Sequence, residues 1–129
     1  MSTGLPRRKR ILIVDDDPSI RYMLSRVLVD EGYEALAAAN GREGLQIAAA
    51  QEVDLVLLDL KMPGLNGTET LKELMVLRPG LPVIMMTAYP GHPLDGGLNG
   101  VSALLQKPLD FPILLEAIKK LLAQAAACK

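Results

Sequence analysis

The sequence predicts an α/β fold: a doubly wound, five-stranded parallel sheet with helices on both faces. Three observations carry that expectation. Strand-like and helix-like segments alternate five times along the 129 residues, the pattern of repeated strand–helix units. Ile11–Val14, Leu55–Leu58 and Val83–Met86 are apolar without alternation, as strands are when helices cover both faces of a sheet. The connections are short, and with right-handed crossovers they favour the strand order 2-1-3-4-5.

Each element has its own signals. The first strand is Arg10-Ile11-Leu12-Ile13-Val14, and Asp17-Pro18 after it supplies an N-cap and a proline at the first helical position. Ile20, Leu24, Val27 and Leu28 form a helical stripe that stops at Gly32. Tyr33 to Ala38 reads as the second strand, and Asn40-Gly41 opens an Ala-rich helix running to about Gln51. The third strand, from Val53, ends at Asp59. Proline and glycines in Lys61-Met62-Pro63-Gly64-Leu65-Asn66-Gly67 then mark a loop. A third helix carries Leu71, Leu74 and Met75 and is halted by Pro79-Gly80. The fourth strand ends at Thr87, the fifth runs from Ser102 to Gln106 before Lys107-Pro108, and Phe111, Leu114, Leu115, Ile118 and Leu122 share one face of the last helix. Between them, Leu94, Leu98 and Val101 keep helical spacing, but Gly96 and Gly97 each cost about 1 kcal/mol relative to Ala in a helix. A short or irregular fourth helix is expected there, in the least regular and most mobile part of the fold.

Composition excludes several functions. A chain of this length makes one domain, able to bury roughly two thirds of its unfolded surface. Its 14 basic and 15 acidic residues leave a net charge of -1, which gives no general attraction to nucleic acid or an anionic membrane. Arg7-Arg8-Lys9-Arg10 is the only basic run and reads as a solvated lead into the first strand; the apolar stretch after it is too short for a signal peptide or a membrane span. The single Cys128 cannot form an internal disulfide. A cytoplasmic location is the expectation.

In an open parallel sheet, ligands gather at the carboxyl ends of the strands where strand order reverses. In the order 2-1-3-4-5 that point lies between strands 1 and 3, so Asp15, Asp16 and Asp59 converge, with Thr87 and Lys107 on the next two strand ends. Like charges near 5 Å repel by about 3 kcal/mol at an effective dielectric near 20, so three carboxylates in one crevice call for a cation or a raised pKa. Mg2+ suits them, because it takes one or two carboxylates and keeps waters, whereas zinc would want Cys and His ligands. A hydroxyl at Thr87 and an ammonium at Lys107 add donors for a transferring phosphoryl group, and the remaining carboxylate can be the nucleophile.

Ile11-Leu12-Ile13-Val14-Asp15-Asp16-Asp17-Pro18-Ser19-Ile20-Arg21, Leu57-Leu58-Asp59-Leu60-Lys61-Met62-Pro63, Thr87-Ala88 and Lys107-Pro108 together resemble the motif set of bacterial two-component response-regulator receiver domains. The resemblance spans residues 10 to about 123 of a single domain and implies the flavodoxin-like form of the doubly wound sheet. It implies a phosphoacceptor signalling domain rather than an enzyme. On that resemblance Asp59 would accept a phosphoryl group from a histidine kinase or histidine phosphotransfer protein. Mg2+ would be held by Asp16 directly, by Asp15 largely through water, by Asp59 and by the Lys61 backbone carbonyl. Thr87 would bond the phosphoryl oxygens and report phosphorylation, Lys107 would pair with the phosphate, and the Lys107–Pro108 peptide is expected to be cis. Lys61 and Tyr89, each two residues beyond a site residue, are expected to flank the approach of hydrolytic water. At Leu104 the family commonly carries an aromatic switch, and the stretch from Thr87 to Lys107 is a residue or two shorter than usual. Output is therefore expected to run through Thr87 and the loop after it.

Plainer roles go to other residues: Asp17 caps a helix, Asp54 and Asp110 form turns or caps, Met85 and Met86 pack in the core, and His92 is an exposed loop residue. A rival function is a haloacid-dehalogenase-like aspartyl phosphatase, whose Asp-x-Asp motif Asp15-Asp16-Asp17 also resembles. That family needs a further acidic pair after the lysine, where only Asp110 and Glu116 follow. A flavodoxin-like cofactor binder would need a Gly-rich phosphate cradle where this chain is acidic. No output domain follows the last helix, and both a stand-alone regulator and a receiver cut from a longer chain remain open.

Overall fold

The computed structural model describes residues 8–59, 67–87 and 102–127. Five parallel strands, β1 (Arg10–Val14), β2 (Glu34–Ala38), β3 (Leu55–Asp59), β4 (Val83–Thr87) and β5 (Ala103–Gln106), form one sheet in the order β2-β1-β3-β4-β5. Four helices are found among the described residues: α1 (Pro18–Asp30), α2 (Gly41–Ala50), α3 (Gly67–Leu77) and α4 (Phe111–Ala127). The expected short helix between β4 and β5 lies outside the described residues, as do Lys61, Tyr89, His92 and Cys128. No helix among the described residues is long and apolar enough to cross a membrane.

Every residue of β3 and β4 is buried, and all of β1 except Arg10, which is why these strands read as unbroken apolar runs. Their alternate side chains feed two cores. Leu12, Val14, Val56, Leu58, Val83 and Met85 face the layer that holds Leu71 and Leu74 of α3 and Ala48 of α2. Ile11, Ile13, Leu55, Leu57, Ile84 and Met86 face the layer of Leu24 and Leu28 of α1 and Leu114 and Ile118 of α4.

The helix ends follow their local chemistry. Asp17 Oδ1 accepts from the Ser19 N–H at 2.8 Å at the start of α1. At the other end Gly32 takes φ 92°, Tyr33 N–H donates to the Leu28 carbonyl and Gly32 N–H to that of Val29. That is a Schellman closure, which needs a left-handed residue where glycine stands. At α2, Asn40 Oδ1 accepts from Glu43 N–H at 2.8 Å while Glu43 Oε1 accepts from Ala39 N–H at 2.6 Å, a reciprocal capping arrangement. Arg78 closes the far end of α2 by donating to the carbonyls of Ala48 and Gln51. Gly44 lets α2 lie close on β1: a Cβ there would stand 2.8 Å from Val14 Cγ2.

The strand bounds differ from the sequence expectation by a residue or two at the ends. Tyr33 is spent on closing α1 and precedes β2. Val53 and Asp54 precede β3, with Asp54 Oδ2 accepting from the Arg10 N–H at 2.7 Å. Met85 and Met86 are fully buried, and Asp110 Oδ1 accepts from the Ile113 N–H at the start of α4.

Candidate functional site

The last paired residues of β1 and β3 are Val14 and Leu58, so the chain's next step sets Asp15 beside Asp59. One carboxylate oxygen from each of Asp15, Asp16 and Asp59 lies within 4.8 Å of the others. β4 runs next to β3 with Met86 opposite Asp59, which puts Thr87, 5 % exposed, at the neighbouring strand end. Lys107 follows β5, its N–H donating to the Thr87 carbonyl at 2.6 Å. The Lys107–Pro108 peptide is cis. All five residues that the sequence placed at the strand ends thus sit at the carboxyl edge of the sheet, each within 4.8 Å of another of them.

The three carboxylates are not equivalent. Asp15 is fully buried and both of its oxygens are engaged: Oδ1 accepts from the Asp17 N–H at 2.9 Å and Oδ2 from Lys107 Nζ at 2.9 Å. Asp59 is nearly buried, with Oδ2 3.5 Å from the same ammonium. Asp16 is exposed. Burial pulls the Lys107 ammonium toward losing its proton, but the hydrogen bond and charge of Asp15, and then Asp59, outweigh it and hold its pKa above the ordinary lysine value. Lys107 is therefore a fixed cation at neutral pH, and it offsets part of the repulsion between Asp15 and Asp59.

Two features were not foreseen. Lys107 pairs first with Asp15, where the resemblance pointed only to a phosphate. Arg21, which entered above only as the last residue of the first motif, donates from Nη1 to the Asp15 carbonyl at 2.7 Å. Beside Lys107 an apolar hollow of about 250 Å³ is lined by Ile20, Met23, Leu24, Pro108, Leu109 and Phe111.

Among the described residues the donor set fits a hard divalent cation: three carboxylates and no thiolate or imidazole, graded from a buried residue to an exposed one. With an ammonium beside the second carboxylate, the crevice can bind phosphoryl oxygens and present Asp59 to them. Fold and crevice together define a small α/β domain with a carboxylate cluster and a lysine at the carboxyl ends of its parallel strands.

Comparison with known proteins agrees. Residues 11–119 match the response regulator receiver domain family, and the chain belongs to it. It is 41% identical over 116 residues to sporulation initiation phosphotransferase F of Bacillus subtilis (strain 168), covering 88% of this chain and 94% of that one. Against transcriptional regulatory protein GlrR of Escherichia coli (strain K12) it is 38% identical over 118 residues, 90% of this chain but 27% of the relative. The chain thus spans about a quarter of the length of that relative. Among solved structures, a CheY-like receiver domain from Methanospirillum hungatei JF-1 superposes with a TM-score of 0.90 at 39% identity, covering 95% of this chain and all of that one. Response regulator TrrA from Thermotoga maritima, in complex with Mg2+-BeF, superposes at 0.82 with 39% identity, covering 88% and 98%. The chain is a phosphoacceptor receiver of the two-component type, a class of signalling domain, and the phosphatase reading has no support.

Proposed function

We propose that Asp59 is the phosphorylated residue and that the protein is a single receiver domain with its core at about residues 10–123. The observation that carries this reading is the pair of contacts from Lys107 Nζ to Asp15 and Asp59, inside a cluster of three carboxylates. An Asp59 carboxylate oxygen attacks the phosphorus of the donor, the bond from phosphorus to the donor's histidine nitrogen breaks, and an acyl phosphate forms on Asp59. Water later attacks that phosphorus, releasing inorganic phosphate and restoring the carboxylate. Lys107 is placed to neutralise the phosphoryl oxygens, and the Thr87 hydroxyl is the neighbouring donor that would report the change.

Asp16, Asp15 and Asp59, with the carbonyl of Lys61, would hold Mg2+, which supplies positive charge to the phosphoryl oxygens when bound. Lys61 and Tyr89, each two residues beyond a site residue, would tune hydrolysis through their bulk. Leu104, half exposed on β5, lacks the ring of an aromatic switch, so output passes through Thr87. The phosphoryl donor is a histidine kinase or histidine phosphotransfer protein, and a cytoplasmic setting fits such a donor.

Intact-mass measurement with a small-molecule phosphodonor and Mg2+ tests the reading. One phosphate per chain is expected in the wild type and none in Asp59→Asn. Continuous turnover of the phosphodonor, or labelling retained in Asp59→Asn with the phosphate on Asp15, would overturn it.

A further inference from the structure

We infer that Arg21 is a positioning residue for the cation site: through the Asp15 carbonyl it aims the exposed carboxylate of Asp16. This inference rests on the cation reading of the site given above. Asp16 has a special problem. It is the one exposed member of the three carboxylates, so packing of its side chain cannot set its direction. What remains to set it is the backbone on either side.

Both flanking peptide planes are anchored. The carbonyl of Asp15 belongs to the Asp15–Asp16 peptide and accepts from Arg21 Nη1 at 2.7 Å. The N–H of Asp17 belongs to the Asp16–Asp17 peptide and donates to Asp15 Oδ1 at 2.9 Å. With the Asp15 N–H bonded to the Ala38 carbonyl at the end of β2, the backbone entering and leaving Asp16 is held at three points. Two of those points belong to Asp15 and the end of the sheet. Arg21 is the only one supplied from a helix side chain, and its guanidinium makes a charge-assisted hydrogen bond, shorter and stronger than a neutral one.

The Arg21 bond is to a backbone carbonyl and not to any of the three carboxylates, so its effect is on the geometry of a ligand. Groups that orient ligands without touching the metal commonly change affinity by 10–100-fold when removed. Losing the clamp should therefore weaken cation binding and leave the reacting groups themselves intact.

Arg21→Met keeps the length of the apolar stem and removes the donor, whereas Arg21→Lys keeps a donor and its charge. Titrating each protein with Mg2+ alone, followed by the backbone amide signals of Asp16 and Asp17, gives the dissociation constant directly. About a tenfold weaker constant is expected for Arg21→Met, and less than threefold for Arg21→Lys. Labelling by a small phosphodonor should fall in Arg21→Met at limiting Mg2+ and return to within about twofold of wild type at saturating Mg2+. Arg21→Gln, a second variant with a shorter side chain, carries the same expectation as Arg21→Met if the latter does not fold. A Mg2+ constant in Arg21→Met within twofold of wild type overturns this inference alone. So does equal weakening in Arg21→Lys, which would assign the effect to packing of the guanidinium. No Mg2+ response in the wild type would bring down the cation reading together with this inference.

Discussion

Asp16 illustrates how function and stability pull apart at one residue. It adds a third negative charge to a cluster whose other two members already share Lys107. Without divalent cation its repulsion with Asp15 and Asp59 is uncompensated, at a cost near 1 kcal/mol for a solvent-exposed member. Asp16→Ala should raise the melting temperature of the cation-free protein by about 3 °C, while abolishing labelling with Asp59 intact; calorimetry and intact mass read the two effects. Lys107 gives a pH signature. Its pKa is raised in the folded state, so its ion pairs contribute in full below the ordinary lysine value and are lost as pH climbs through the folded one. The stability difference between wild type and Lys107→Met, measured by urea unfolding, should be constant from pH 7 to about 10 and shrink above that. A difference that shrinks below pH 9 would contradict the assigned shift. The identities of these charged residues were legible in the sequence, because each follows an apolar strand. Their pairings were not: where a lysine or arginine with four or five rotatable bonds ends depends on the loop opposite it, and periodicity carries no information on that. Lys107 on Asp15 and Arg21 on the Asp15 carbonyl are both of this kind.

Among the elements, α2 shows how much of a helix lies in its ends. Its fully buried positions, Gly41, Gly44 and Ala48, bring little side chain, and Asn40 and Arg78 supply hydrogen bonds to groups the helix leaves unpaired. Asn40→Ala should cost about 1 kcal/mol. Arg78→Ala, which frees two carbonyls at the other end, should cost about 1–2 kcal/mol. Both are read as shifts of the urea midpoint at unchanged slope. The Asn40 cap was visible in the sequence as an opening signal, since an N-cap acts on residues two or three positions away. Arg78 was not, because it reaches back across 30 residues of chain. The same division applies to the strands. The fully buried runs of β3 and β4 declared themselves, whereas the ends of β2 and β3 shifted where Tyr33 and Asp54 were recruited to bond a neighbouring helix end and the first residue of β1.

For the whole molecule, the sheet order puts the buried strands β1, β3 and β4 inside and leaves β2 and β5 at the edges, partly exposed. Amide exchange should be slowest in the three inner strands, approaching the rate set by global unfolding, and faster in β5; equal protection in β5 and β3 would contradict it. The site stands on these inner strands: Asp15 follows β1 and Asp59 ends β3, so both residues should share the slow exchange expected there. That order was legible from the alternation of segments and the handedness of crossovers, while the stretch between β4 and β5 lies outside the described residues. The tight seat of α2 on β1 has a genetic consequence. Val14, against which a side chain at position 44 would press, is the residue immediately before Asp15. A hunt for signalling-dead alleles should therefore return Gly44→Ala or larger, although Gly44 has no part in the chemistry. Because the collision is with one valine methyl, second-site revertants should concentrate at Val14, and Val14→Ala should be among them.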